Sequence, residues 1–532
     1  MRAILLLLAV AAPATLAAQG APPGGTYRLF QGGTEVGRET FHRSDSLFEQ
    51  SAVIPVLNLR IESGNARDAA GRFAGFSLSL RNAAGDTLLG TYRAQLAGDS
   101  VRITSDLPKA PPPRTRSANF DLVMPPQSVA SLADLVVRAG GRDTTWRLLM
   151  AGSDSILTAT VRFSGDSARL RFAGIEVLVR DSAGGIASLE IPVQRARAVF
   201  ARPEENLPPL PGGPRPKPDF TAPPGAPYSA EEVRVPVTPA AGDTFSLGCT
   251  LTLPKSGRRP YPAVVTITGS GLQGRDEDLW PTVPGYRPFR QVAERLALEG
   301  IATLRCDDRG RDASTGDPAI ATTVDLAGDT RAQLTWLRSR PEINPAKLAL
   351  LGHSEGGIIG PMLGAEDRRI AALVIMAGPG KQGVQILRDQ ARWPILTQEG
   401  LTPEARAVAL AAADSSILAD SAAQGAWFQW FYHYDPLPVA RRVHQPTLIL
   451  QGALDRQVSA GQADTLARAI RQSGNRQVTV RTFPGLNHLF LQSLTDGSPM
   501  EYPSLKDAKV PATVLDTIAL WLRRRLGLGQ RP

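Results

Sequence analysis

Two hydrophobic rhythms divide the chain. From about residue 24 to 200, apolar and polar positions alternate with period two over short segments: 26–30, 36–41, 76–80, 87–96, 100–105, 156–163, 168–172, 175–179 and 186–193. Turn residues stand among them at Gly32-Gly33, Asp86, Gly98-Asp99 and Gly165-Asp166. One apolar and one polar face, in runs this short, predicts antiparallel hairpins in a sandwich or open barrel over residues 21–200. From residue 229 the rhythm changes. Apolar runs at 263–268, 301–306, 347–351, 370–376, 447–450 and 477–483 read as strands. Helical spacing at 289–298, 326–337 and 514–525 falls between or after them. This alternation predicts an α/β domain, residues 229–532, with a mainly parallel sheet covered by helices on both faces. Chemistry then belongs on loops at the carboxyl ends of strands.

Between the two regions, residues 201–228 are rich in proline, including Pro208, Pro209, Pro211 and Pro214, and read as an extended linker. At the start, Met1-Arg2, an apolar run at 3–12, Pro13 and the small residues Ala14, Ala17 and Ala18 read as a signal peptide, residues 1–18, cleaved near Ala18. The mature protein is expected to be exported, periplasmic or secreted. No later apolar run reaches about 18 residues, so no stable membrane span is expected.

Composition narrows the field. The 59 Lys and Arg are interspersed with 50 Asp and Glu, so the net charge of +9 reads as a basic surface rather than a nucleic-acid patch. Two cysteines exclude a disulfide scaffold and a four-cysteine zinc site. Cys249 and Cys306 fall on strands expected to be neighbours; buried thiols are the favoured reading and a cross-strand disulfide the alternative. No metal-binding motif is visible, and no cofactor is expected.

Gly352-His353-Ser354-Glu355-Gly356 carries the chemistry. It follows one predicted strand and opens a small-residue helix, the strand–turn–helix setting that lifts a serine hydroxyl to a helix N-terminus. That hydroxyl needs a base. The chain has 5 His. His42 lies in the other region, His353 adjoins Ser354 and points away from it, and His433 and His444 precede the candidate acid. His488 remains, just after the strand 477–483. Asp455 follows the strand 447–450 and would hold the imidazole in its working tautomer. An oxyanion needs two preorganised N–H groups. One is expected from Glu355, the other from Ser270 or Gly271 in the loop Thr268-Gly269-Ser270-Gly271-Leu272-Gln273-Gly274. No Gly-Lys-Ser/Thr follows, so this is not a phosphate loop.

These pieces, with Gln273-Gly274-Arg275-Asp276 and Cys306-Asp307-Asp308-Arg309-Gly310, resemble the α/β-hydrolase fold, in its bacterial esterase branch related to dienelactone hydrolases and serine aminopeptidase-like hydrolases. The resemblance covers about 300 residues. It implies Ser354 as nucleophile, Asp455 as acid and His488 as base. Relatives often carry His-Gly where this chain has Thr268-Gly269, and a second Gly where it has Asp312. Asp308 and Arg309 are expected to form a structural ion pair. An insertion at 381–441 is expected to form a lid, with a helix over 403–418 and with Trp427, Phe428, Trp430 and Phe431 as candidate substrate walls. The leading expectation is an exported serine hydrolase of carboxylic esters, with a small-molecule substrate, no nucleic-acid partner and an acyl-enzyme intermediate. The alternatives are a peptidase on the same triad, and a protein that binds a glycan or envelope component through its β-rich region.

Overall fold

In a computed structural model, the structure describes residues 22–529 except 32–33, 56–58, 84–86, 108–111, 126–127, 153, 166, 173–174, 183–184, 192–195, 202–204, 206, 208–209, 211–217, 240–241, 280–281, 284, 319, 398–401, 424–425 and 506–508. The expected signal peptide, the Gly32-Gly33 and Asp86 turns and much of the proline-rich linker lie outside the described residues. The chain divides into two compact units, residues 1–216 and 217–532.

Among the described residues of the N-terminal unit, fifteen strands form one sheet. They are β1 (Gly24–Gln31), β2 (Thr34–Arg43), β3 (Leu47–Ile54), β4 (Leu59–Arg67), β5 (Phe73–Arg81), β6 (Leu88–Ala97), β7 (Ser100–Ser105) and β8 (Arg114–Ser117). Then come β9 (Leu122–Met124), β10 (Thr144–Met150), β11 (Ile156–Ser164), β12 (Ser167–Phe172), β13 (Ile175–Ser182), β14 (Gly185–Ile191) and β15 (Ala196–Ala201). Helix α1 (Val129–Ala139) interrupts the strands. The sheet order is β8-β7-β6-β5-β4-β3-β2-β1-β15-β14-β13-β12-β11-β10-β9. Only the β9–β10 pair is parallel.

The sheet must be strongly curled. Helix α1 packs against β2, β11 and β14. Strands β2 and β11 stand six ladders apart, about 29 Å along a flat sheet at ~4.8 Å per ladder. A helix only about 10–12 Å across touches both only if the sheet wraps around it. Side chains draw the two edges together: Arg114 and Arg116 of β8 both bond Asp154, in the turn between β10 and β11. Sequence reading missed α1 amid the strands. Its signals are local: Ser128 caps the Ser131 N–H at 2.9 Å, and Gly140 ends the helix in a left-handed conformation. Glu39 of β2, fully buried, accepts the N–H groups of Val129 and Ala130 at the helix start.

The C-terminal unit holds an eight-stranded sheet among its described residues: β16 (Tyr228–Val237), β17 (Phe245–Pro254), β18 (Tyr261–Ile267), β19 (Ala302–Cys306), β20 (Ile343–His353), β21 (Ile370–Met376), β22 (Thr447–Gly452) and β23 (Val478–Phe483). The order is β16-β17-β19-β18-β20-β21-β22-β23, antiparallel at β16–β17 and β17–β19 and parallel from there on. Every residue of β18, β19 and β22 is buried, as a sheet covered on both faces requires. One apolar core gathers α3 (Thr323–Arg338), α4 (Gly356–Glu366) and α9 (Gly461–Arg471) on one face. Another gathers α2 (Pro288–Leu298) and α10 (Ala512–Arg525) on the other. The insertion after β21 forms α5 (Gly383–Thr397), α6 (Pro403–Ala423), α7 (Ala426–His433) and α8 (Leu437–Ala440). No described helix is long and apolar enough to cross a membrane.

The expectation of buried thiols is corrected. Cys249 of β17 and Cys306 of β19 form a disulfide. The antiparallel register sets them directly opposite each other, an arrangement that requires strand order as well as sequence.

Candidate active site

Four loops leave the carboxyl ends of parallel strands β18, β20, β22 and β23, and each carries one part of the site. Ser354 stands immediately after β20 with φ of 51°, a strained conformation for a residue with a Cβ. Its N–H bonds the Met376 carbonyl at 2.9 Å, and its carbonyl accepts the Gly357 N–H at 2.8 Å. The turn is tight enough to demand glycines. A Cβ at Gly352 would overlap the Gly356 carbonyl, and one at Gly356 would overlap the carbonyl of Ile267 at the end of β18. Gly356→Ala is therefore expected to cost about 1–3 kcal/mol through overpacking, read as a lowered thermal midpoint.

Asp455 is fully buried. Its Oδ1 accepts the N–H groups of Gln457 (2.9 Å) and Val458 (2.8 Å). Its Oδ2 receives Gln451 Nε2 and meets His488 Nδ1, both at 2.8 Å. His488 is buried on a loop fixed by Asn487. The Asn487 Oδ1 accepts from the Leu489 and Leu491 N–H groups, and its Nδ2 donates to Glu501. The structure thus joins the predicted acid and base and sets Ser354 on the neighbouring elbow.

The His353 side chain links two loops. Its Nδ1 lies 2.9 Å from Glu277 Oε1 and its Nε2 3.0 Å from the His488 carbonyl. Both partners are acceptors, so both ring nitrogens donate, the pattern of a protonated ring. Burial pulls the His353 pKa down, but Glu277 beside it outweighs that effect and the net shift is upward.

Glu277 also accepts the Gly269 N–H at 2.7 Å, pinning the loop after β18. A Cβ built on Gly269 would stand 3.3 Å from Ser354 Cβ, so this loop lies against the elbow. Among the described residues, the N–H groups of Glu355, Ser270 and Gly271 meet no hydrogen-bond acceptor. The Gly269 N–H is occupied and cannot serve an oxyanion.

Asp308 departs from expectation. Arg309 does not pair with it; the guanidinium turns instead to Asp329, at 2.7 and 2.9 Å. Asp308 holds the loop after β18, accepting Thr268 Oγ1 and the Gln273 N–H, both at 2.8 Å. The correction has a physical cause: helix α3 supplies Asp329, 20 residues along the chain, which no local spacing reveals. Burial pushes the Asp308 pKa from 3.8 up to about 8, against its two hydrogen bonds and with help from Glu355 and Glu277. The folded chain therefore keeps a proton that the unfolded chain releases, and this contribution is lost as pH rises through about 8. Asp308→Asn, which has no proton to lose, is expected to gain roughly a few °C in melting temperature on the parent between about pH 6 and about pH 9. An unchanged difference would mean that Asp308 is ionised throughout.

Glu355 takes part through its side chain as well as its backbone. Buried beside the elbow, it receives the Thr323 hydroxyl and Trp427 Nε1, the latter at 2.6 Å. Burial raises its pKa, opposed by these two donors. The bond ties α7 of the insertion to the residue after Ser354. Trp427 stacks on Phe431 with ring centroids 5.1 Å apart, and Phe431 packs with Ile358 and Ile386. Phe428 and Trp430 are half-buried on the same helix. Sequence reading missed Glu277, Thr323 and the side-chain role of Glu355, because their partners His353, Glu355 and Trp427 lie far along the chain. No described group of three His, Cys, Asp or Glu side chains could hold a metal ion.

A family model described as serine aminopeptidase, S33, matches residues 286–494, a span that contains Ser354, Asp455 and His488. The match lies wholly within the C-terminal unit, which is similar to this hydrolase family. The chain is similar to esterase EstD of Thermotoga maritima, at 28% identity over 278 residues, covering 51% of this chain and 64% of EstD's own length. An uncharacterised protein of Mycobacterium tuberculosis, Rv2307c, is 25% identical over 247 residues, covering 46% of this chain and 69% of that one. Among solved structures, the Pyrococcus furiosus esterase Pf2001 aligns at 17% identity and TM-score 0.38, over 58% of this chain and 95% of its own.

Proposed function

We propose that this protein is an exported serine hydrolase of carboxylic esters, acting through Ser354, His488 and Asp455. The observation that carries the reading is the 2.8 Å contact of His488 Nδ1 with buried Asp455, beside a serine held at positive φ. His488 takes the Ser354 proton as Oγ attacks the ester carbonyl. The oxyanion rests on the free N–H of Glu355 and on that of Ser270 or Gly271. His488 returns the proton to the leaving alkoxide, and water then releases the acid from the acyl-enzyme.

An aminopeptidase reading would need a free carboxylate for the substrate amine. In the insertion, Asp389 pairs with Lys381, Asp414 with Arg392, and Asp435 caps the Leu437 N–H. Glu355 is bound by Thr323 and Trp427. These engagements leave those four carboxylates occupied; of the others in the insertion, Glu404 on α6 is exposed and meets no partner among the described residues, and Glu399 and the Asp420 side chain lie outside them, so the amide substrate is kept in the test below. Export is supported by the Cys249–Cys306 disulfide, which belongs to an oxidising compartment, and by the apolar run at 3–12. The insertion is read as a lid, with Trp427 and Phe431 anchoring it and Phe428 and Trp430 as substrate walls.

The test is turnover of a chain-length series of acyl nitrophenyl esters beside aminoacyl anilides, against a chain lacking the Ser354 hydroxyl. Ester turnover with inert anilides is the expected result, and its chain-length optimum sizes the pocket. Anilide turnover at comparable rates would overturn the ester assignment.

A further inference from the structure

The oxyanion loop and the base loop leave strands that are not neighbours. The first follows β18 and the second follows β23, with β20, β21 and β22 between them. Four ladders at about 4.8 Å set those strand ends roughly 19 Å apart along the sheet. Yet the oxyanion donors and His488 must meet one ester carbonyl, and a misplacement of about 1 Å costs on the order of 10²-fold in rate. The ladders by themselves do not set that spacing.

Glu277 joins the two loops. Its Oε1 accepts the Gly269 N–H at 2.7 Å on the oxyanion loop and meets His353 Nδ1 at 2.9 Å. His353, the last residue of β20, carries the link onward from Nε2 to the His488 carbonyl at 3.0 Å. The two imidazole rings lie 4.8 Å apart, centroid to centroid. One carboxylate oxygen thus reaches both loops over the end of β20, where Ser354 stands.

Two further observations separate Glu277 from an ordinary structural contact. It is 3% exposed, yet its Oε2 meets no donor among the described residues, a costly state for a buried carboxylate oxygen. Its backbone stands at φ of 57°, the left-handed region that disfavours a residue with a Cβ. Backbone strain and an unsatisfied buried oxygen at one position point to a role beyond stability.

We propose that Glu277 is a positioning residue for the hydrolase reaction, holding the oxyanion loop through Gly269 and the base loop through His353 at one fixed spacing. This role rests on the serine hydrolase reading. It is exerted in the transition state, when both loops engage the same tetrahedral centre, and not in substrate binding.

The experiment measures kcat and KM for a nitrophenyl ester in Glu277→Ala, Glu277→Gln, His353→Phe and the double variant of Glu277→Ala with His353→Phe, each well below its melting temperature. Glu277→Ala is expected to lower kcat about 10²-fold with KM within about twofold of the parent. Glu277→Gln keeps an acceptor oxygen for both donors and is expected to stay within about tenfold of the parent. His353→Phe keeps a ring beside Phe490 but loses both ring N–H groups. It breaks only the branch to His488 and is expected to lower kcat about tenfold. The double variant is expected to fall no further than Glu277→Ala alone, because both changes cut one chain of contacts. The inhibition constant of a trifluoromethyl ketone, which Ser354 would attack to form a tetrahedral adduct, is expected to rise in step with the loss in kcat.

A folded Glu277→Ala chain with kcat within about threefold of the parent would overturn the proposal. So would a loss carried by KM rather than kcat, or a double variant whose loss is the product of the two single losses. If Glu277→Ala does not fold, unchanged kcat in His353→Phe overturns it instead. A parent chain inert toward esters would overturn the hydrolase reading and this role with it. An active parent that loses turnover with the Ser354 hydroxyl keeps that reading whatever Glu277 does.

Discussion

Ser354→Ala is expected to lower kcat for a nitrophenyl ester by about 10⁶-fold, the loss seen when a triad acts as one unit. The reasoning rests on what remains. Without the hydroxyl, His488 and Asp455 have no nucleophile to activate, and no acyl-enzyme forms. The N–H groups of Glu355 and Ser270 or Gly271 still polarise a bound carbonyl, which leaves a residual of about 10³–10⁴ over water. The fold should not suffer, because alanine keeps the Cβ that the elbow already accommodates at φ of 51°. Equal melting temperatures with kcat retained within tenfold would remove Ser354 from the mechanism.

Asp455→Asn is expected to be the next most severe change, at about 10⁴-fold in kcat, the scale of the same exchange in a serine protease triad. Asp455 accepts hydrogen bonds from the N–H groups of Gln457 and Val458 and from Gln451 Nε2, and it meets His488 Nδ1. A carboxylate is acceptor-only and suits a site of donors; an amide has one acceptor oxygen and an NH₂ that donates. If the amide oxygen keeps the two backbone donors, the NH₂ faces His488 Nδ1 and favours the tautomer that cannot take the Ser354 proton. If the amide turns round, two buried N–H groups lose their acceptor. The first outcome lowers kcat with little change in KM and leaves one buried donor, Gln451 Nε2, without its acceptor; the second leaves two backbone N–H groups without theirs and lowers the melting temperature further. Activity within tenfold of the parent would show that His488 is oriented by something other than Asp455.

The sequence by itself determined the parts whose signal is local. The run 370–376 is a strand because seven consecutive apolar residues fit a sheet covered on both faces, and β21 spans Ile370–Met376. The elbow was legible because Gly352, Ser354 and Gly356 are demanded by one short turn. His488 emerged because the chain has 5 His and four of them stand in the wrong place. Alternation predicted antiparallel hairpins in the N-terminal region, and the ladders there are antiparallel but for β9–β10.

Tertiary structure decided what depends on partners distant in the chain. Asp308 and Arg309 are neighbours in sequence, yet one holds Thr268 and Gln273 while the other reaches Asp329. Cys249 and Cys306, 57 residues apart, are joined only because β17 and β19 pair in that register. Glu355 meets Trp427 72 positions away. The curl of fifteen strands around α1 has no local signature at all. Period-two patterning says which face of each strand is apolar, but the curvature that closes those faces on a helix is set by side chains meeting across the whole sheet.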